Sequence, residues 1–135
     1  MSITGRCYCG ELRYEAEAQP IFRAQCHCRE CQYISGGGAN FVLGVPAASF
    51  RYVHGEPKAF KRQDLAEPAI REFCGTCGTH ILTRTPRNSE VVILKVGTLD
   101  DPTVFGGSQI AIWTVDKQPY HHIAEGVATF PGFPG

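Results

Sequence analysis

The sequence predicts a mostly β domain of packed antiparallel sheets, and three observations carry that expectation. Short apolar stretches recur at near-regular spacing. The 15 glycines and 9 prolines among 135 residues supply turns between them. No segment sustains the 3.6-residue apolar period of an amphipathic helix.

Taken in order, Leu12, Tyr14 and Ala16 alternate with Arg13, Glu15 and Glu17, the period of two expected of a strand with one wet face. Pro20 closes that strand, and residues 21–25 form a second that delivers Cys26 at its end, so that the thiols following it sit on a strand-to-loop junction. Ser35-Gly36-Gly37-Gly38 reads as a flexible connecting turn that tolerates positive φ. Further strands are expected over 39–45, 50–54, 58–63, 70–73, 80–85 and 91–96, parted by Pro46, Gly55-Glu56-Pro57, Glu67-Pro68, the Cys74 to Gly78 turn and the turn that opens at Pro86. Short helical turns are expected only at 99–102 and 113–117. The segment 130–135 cannot be a central strand, because its prolines lack the ladder donor. Trp113, Phe41, Phe73 and Phe105 are expected in the core.

Hydrophobic content of 43% and charged content of 19% fit a single domain spanning residues 1–135, able to bury roughly two-thirds of its unfolded surface. Lys plus Arg and Asp plus Glu both number 13, so the basic excess that would neutralise a phosphate backbone is missing and nucleic acid is not an expected partner. Residues 1–6 hold no apolar run of the signal-peptide kind, and nothing approaches the roughly 18 apolar residues of a bilayer span. A soluble cytoplasmic protein without a membrane partner is expected. In a reducing cytosol clustered cysteines bind metal or perform catalysis more often than they form disulfides, and seven thiols cannot all pair within one chain.

Those seven fall into Cys7-x-Cys9, the triplet Cys26, Cys28 and Cys31, and Cys74-x-x-Cys77-Gly78. A two-residue spacer lets both sulfurs of Cys74 and Cys77 reach one ion, and the glycine permits the turn. Spacing rules by themselves favour Cys28-x-x-Cys31 as the completing pair, a ribbon-like arrangement that strands Cys7, Cys9 and Cys26. The alternative joins Cys7 and Cys9 to Cys74 and Cys77 and leaves a three-thiol group whose missing fourth ligand suits a site that does chemistry. A redox dithiol would call for a βαβ context that the chain lacks. In an extended segment His27 should face away from any ion held by its neighbours, as a supporting or exposed residue. Among the other histidines His80, following the Cys77-Gly78-Thr79 turn, is placed nearest a metal, and His80 and Arg29 are the candidates for catalysis or substrate binding.

Gly5 to Glu15, Cys26-His27-Cys28-Arg29-Glu30-Cys31, Arg71 to Gly78 and Gly97-Thr98-Leu99-Asp100-Asp101-Pro102 together resemble the glutathione-dependent formaldehyde-activating enzyme family, which also includes a centromere protein. The resemblance implies an Mss4-like fold, a structural zinc on Cys7, Cys9, Cys74 and Cys77, and a second, catalytic zinc on Cys26, Cys28 and Cys31. It thereby overrides the ribbon preference. It also implies a carbon–sulfur lyase that condenses glutathione with formaldehyde to S-hydroxymethylglutathione. Two positions depart from the family pattern: Ala111 stands where a histidine is expected and Tyr120 where a tryptophan is usual.

A zinc-bound thiol is deprotonated, so such a site would supply a thiolate at neutral pH. Three thiolates on a divalent ion leave one negative charge, however, and a cation should offset it. Arg29 is the first candidate, with Arg71 and Arg23 behind it. The open site is expected to hold its zinc less tightly than the closed one and to be partly empty in purified material. The small-molecule partner expected is a thiol such as glutathione. The rival reading is a zinc-stapled binding module without chemistry.

Overall fold

Alternation decides the first sheet. A computed structural model of the chain describes residues 1–134. In it β1 (Ser2–Arg6) turns Ile3 and Gly5 inward, β2 (Arg13–Glu17) turns Tyr14 and Ala16 inward, and the intervening residues point outward. The two strands pair antiparallel with Ile3 opposite Ala16 and Gly5 opposite Tyr14, and β5 (Phe50–His54) joins the other edge of β2. A side chain at Gly5 would overlap the Tyr14 ring and the Thr98 carbonyl, and its absence lets the Tyr14 hydroxyl reach Thr98 Oγ1 at 2.7 Å.

The second sheet holds β3 (Phe22–Cys26), β4 (Asn40–Pro46), β6 (Lys58–Phe60), β7 (Ile70–Phe73), β8 (His80–Arg84), β9 (Val91–Lys95), β10 (Ile110–Ile112) and β11 (Ala128–Thr129). Their order is β11-β10-β3-β4-β9-β8-β7-β6. Ile3, Tyr14 and Ala16 of the first sheet, with Leu12 just before β2, pack with Leu43, Val45, Leu82, Val92 and Leu94 of the second, and Leu99 and Phe105 complete the cluster. Burial of each large apolar side chain of this kind contributes about 1.5–3 kcal/mol.

The fold is mostly β, as expected, with informative departures. β10 lies parallel to both β3 and β11, so the sheet is mixed at that end. β1 went unread because Ile3 is the one large apolar residue in its five; pairing with β2 makes it a strand. The strand expected over 58–63 stops at Phe60. In place of the expected loop after Cys26 there is a helix, α1 (Arg29–Ile34). Its six residues make fewer than two turns, too short for a period to show, and Cys28 caps it: the sulfur accepts from Cys31 N, doing what a serine or aspartate usually does. The 3-10 turn at Thr114–Asp116 falls inside the stretch expected to be helical, whereas those near residue 100 lie to either side, at Val96–Thr98 and Pro102–Phe105. Of the aromatics expected in the core only Phe105 is buried; Phe41, 44% exposed, meets it edge-on from outside. Among the described residues no helix is long and apolar enough to cross a membrane.

Candidate metal centres

Two knuckles face each other at one end of the sheets. Cys7 follows β1 and Cys9 lies in the turn before β2, where Cys7 N donates to Leu12 O at 3.1 Å and Gly10 N to Cys7 O at 3.1 Å. Cys74 and Cys77 lie between β7 and β8 in a turn of the same build, with Gly78 N donating to Cys74 O at 2.8 Å and Gly78 itself at φ +79°. The four sulfurs lie within 4.8 Å of one another. Cys7 and Cys9 Sγ are 3.6 Å apart, and Cys9 and Cys74 Sγ 3.8 Å. Four thiolates around one ion at the usual metal–sulfur bond length would be spaced at about 3.8 Å. Backbone N–H groups of Leu12 (3.2 Å, to Cys7) and of Thr76 and Cys77 (3.4 Å each, to Cys74) point at the sulfurs. The residues therefore fit a closed metal site. The ribbon pairing preferred on spacing grounds is overturned, because Cys28 and Cys31 belong to a separate cluster.

That second cluster joins Cys26 at the end of β3, Cys28 at the cap of α1 and Cys31 inside the helix, again with all sulfurs within 4.8 Å. Cys26 and Cys31 are buried. Asn40 Nδ2 donates to Cys31 Sγ at 3.4 Å and Cys31 N to Cys28 Sγ at 3.3 Å. Among the described residues no fourth histidine, cysteine or carboxylate joins the group, so it fits an ion with an open position. Without a cation among them three adjacent thiols cannot all ionise. Hydrogen bonds from Cys26 and Cys28, with Asn40 and Lys95 behind them and burial opposing, push the Cys31 thiol down to about 2, whereas Cys28, Cys31 and burial push Cys26 up.

Strand register supplies what the sequence did not reveal. Cys26 lies opposite Asn40, and Val42, two residues on, lies opposite Lys95; directly opposed residues share a face, so Cys26, Asn40 and Lys95 are on the same side of the sheet. Lys95 is buried, and its Nζ donates to Thr83 Oγ1 at 2.9 Å. Burial pushes its ammonium down to about 8 against the opposing pull of Cys31, Cys26 and Cys28. The available signal was a lone lysine ending an apolar strand, Val91-Val92-Ile93-Leu94-Lys95.

Beside these residues opens a cavity of about 410 Å³, lined among others by Ser35, Asn40, Thr79, His80, Lys95 and Thr98. Of the two residues expected to serve substrate, His80 therefore lines the cavity, with a buried Nδ1 that finds no hydrogen-bond partner. Burial first, then Lys95 and Arg71, hold its imidazolium below the usual range. Arg29 is exposed on α1, where its guanidinium donates to Gln32 Oε1 and lies over the Tyr33 ring. Arg71 donates to Thr83 Oγ1 at 3.1 Å and approaches Glu30 at 3.7 Å. His27 is fully buried, its ring engaged by Gln25 and His121.

Four sulfurs in one cluster and three in another, on a two-sheet scaffold, define a β protein with two cysteine clusters, each of which could hold a metal ion. The model of the glutathione-dependent formaldehyde-activating enzyme family matches residues 2–116, and the chain belongs to that family. Its fold is similar to the crystal structure of a Rhodobacter sphaeroides protein, with a TM-score of 0.63 at 22% identity, covering 78% of this chain and 96% of the other. No curated protein matches the sequence. The two departures from the family pattern lie outside the cavity lining: Ala111 is wholly buried in β10, and Tyr120 is exposed, its hydroxyl donating to Gly37 O at 3.0 Å.

Proposed function

We propose that this protein is a zinc-dependent carbon–sulfur lyase acting on a thiol–aldehyde adduct, with glutathione and formaldehyde as the first pair to test. The observation that carries the reading is a cavity lined by Asn40, Lys95 and His80 that reaches the three-cysteine cluster through Asn40, the donor to the Cys31 sulfur. A non-catalytic module would have that surface filled.

The reaction joins a thiol sulfur to a carbonyl carbon: a carbon–sulfur bond forms, the carbonyl π bond opens, and the thiol proton ends on the new hydroxyl oxygen. Zinc on Cys26, Cys28 and Cys31 would stabilise a substrate thiol as thiolate at neutral pH. The chain's own part is to hold and orient. Asn40 fixes the Cys31 sulfur, the cavity admits the adduct, and His80 forms part of the cavity wall against which the adduct is oriented. The four-cysteine site serves the fold.

The test mixes the protein with glutathione and formaldehyde and follows adduct exchange, which proceeds slowly uncatalysed. Acceleration that is lost in Cys28→Ser supports the reading. No acceleration with this pair removes the named substrate, and none across a panel of thiols and aldehydes removes the enzyme.

A further inference from the structure

The three-cysteine centre has a charge to balance, and among the described residues Lys95 is the one lysine or arginine in the buried class. We infer that Lys95 is the fixed cation of this centre and that its charge, in place of that of Arg29, determines how firmly the ion is held. The inference rests on the reading of Cys26, Cys28 and Cys31 as a metal site.

Three thiolates and a divalent ion leave one net negative charge. In water that charge would be solvated, but Cys26 and Cys31 are buried and solvation is largely denied. A buried ammonium has the mirror problem, since an isolated charge in a low-dielectric interior is strongly disfavoured unless an opposite charge is near. Among the described residues no carboxylate lies within ion-pair distance of Lys95. Its hydrogen-bond partner is the neutral Thr83 hydroxyl, which also accepts from Arg71, so two cations converge on one oxygen. Negative charge must come from elsewhere, and the register places Lys95 on the same face of the sheet as Cys26 and Asn40, across β4 from the cluster. The attraction exerted on Lys95 by Cys31, Cys26 and Cys28 agrees with that placement.

Arg29 fails the same examination. It is exposed, and its guanidinium is taken up by Gln32 and Tyr33. With Lys95 the centre becomes neutral overall, so an anionic sulfur can enter the open position without meeting a net negative charge.

Zinc or cobalt(II) titration of the reduced full chain against a competing chelator, at fixed pH and ionic strength, reads both sites. Lys95→Met and Lys95→Gln should each weaken the three-cysteine site by about 10- to 100-fold, the range for residues that support metal ligands. Affinity at the four-cysteine site should be unchanged, and Arg29→Gln should bind both ions as the unsubstituted chain does. The glutamine keeps a donor for Thr83 without the charge, and it decides the matter if the methionine variant does not fold. Wild-type affinity in Lys95→Gln, or weakening by Arg29→Gln alone, overturns the inference. An unsubstituted chain that binds a single ion, at the four-cysteine site, removes the metal reading beneath it and is recognisable as that separate failure.

Discussion

His27 Nδ1 lies 3.0 Å from His121 Nδ1, both rings buried. His121 Nε2 sits 2.7 Å from the Gly37 carbonyl and must donate to it. Its Nδ1 therefore accepts, from Gln118 N at 3.1 Å and from His27 Nδ1–H, and His27 Nε2 in turn accepts from Gln25 Nε2 at 3.0 Å. With these donor and acceptor roles the ring nitrogens of both histidines are satisfied. Burial, His121 and Lys117 hold the His27 imidazolium down in agreement. His121→Ala should strand the His27 N–H and leave the 118–122 segment held to the Gly37 turn by Tyr120, with a loss of about 1–3 kcal/mol. A lowered denaturant midpoint with an unchanged slope would register it.

The two cysteine clusters should respond differently to the same substitution. Cys74→Ser opens a cluster that ties the turn after β1 to the turn between β7 and β8, so the chain should lose its fold. Cys28→Ser should leave the fold standing, because serine can cap α1 in place of the sulfur. Near-ultraviolet circular dichroism compares the two variants, and equal loss in both would refute the division.

A graded chelator should separate the metals. The three-thiolate centre has one ligand fewer than the four-thiolate centre and should empty first, taking the zinc content from two ions per chain to one while the fold persists. Two ions lost together, or two retained through mild chelation, would contradict it.

His80 should leave a mark on the pH dependence of stability. Burial, Lys95 and Arg71 depress its folded pKa below the ordinary histidine value, which is about 6.5 in the unfolded chain. The unfolded state thus binds more protons at acid pH, so the stabilisation is full above about 6.5 and is lost as pH falls below that value. His80→Gln should flatten the fall in unfolding free energy between pH 7 and pH 5, by at most about 1.4 kcal/mol per pH unit. Parallel curves for the two proteins would mean that His80 titrates normally.

Much of this protein was legible in the residues. Leu12, Tyr14 and Ala16 announced a one-sided strand because the β period is two, and all three are buried. The motifs named the family, and with it the division of the cysteines that spacing rules had set the other way. Other features were illegible for physical reasons. α1 is too short for a helical period, and its cap is a sulfur. The pairing of Cys7 and Cys9 with Cys74 and Cys77 depends on two turns brought together by sheet packing.

The sequence by itself determined the β class, the family and the thiols available to bind metal, because these depend on residue type and on spacing along the chain. Only the tertiary structure placed a buried lysine on the face of the sheet that carries Cys26. Lys95 is 64 residues beyond Cys31 in numbering, and antiparallel register through β4, not proximity in sequence, sets it on that face. Arg29, the nearer residue in the chain, is directed outward because a helix forms where a loop was expected.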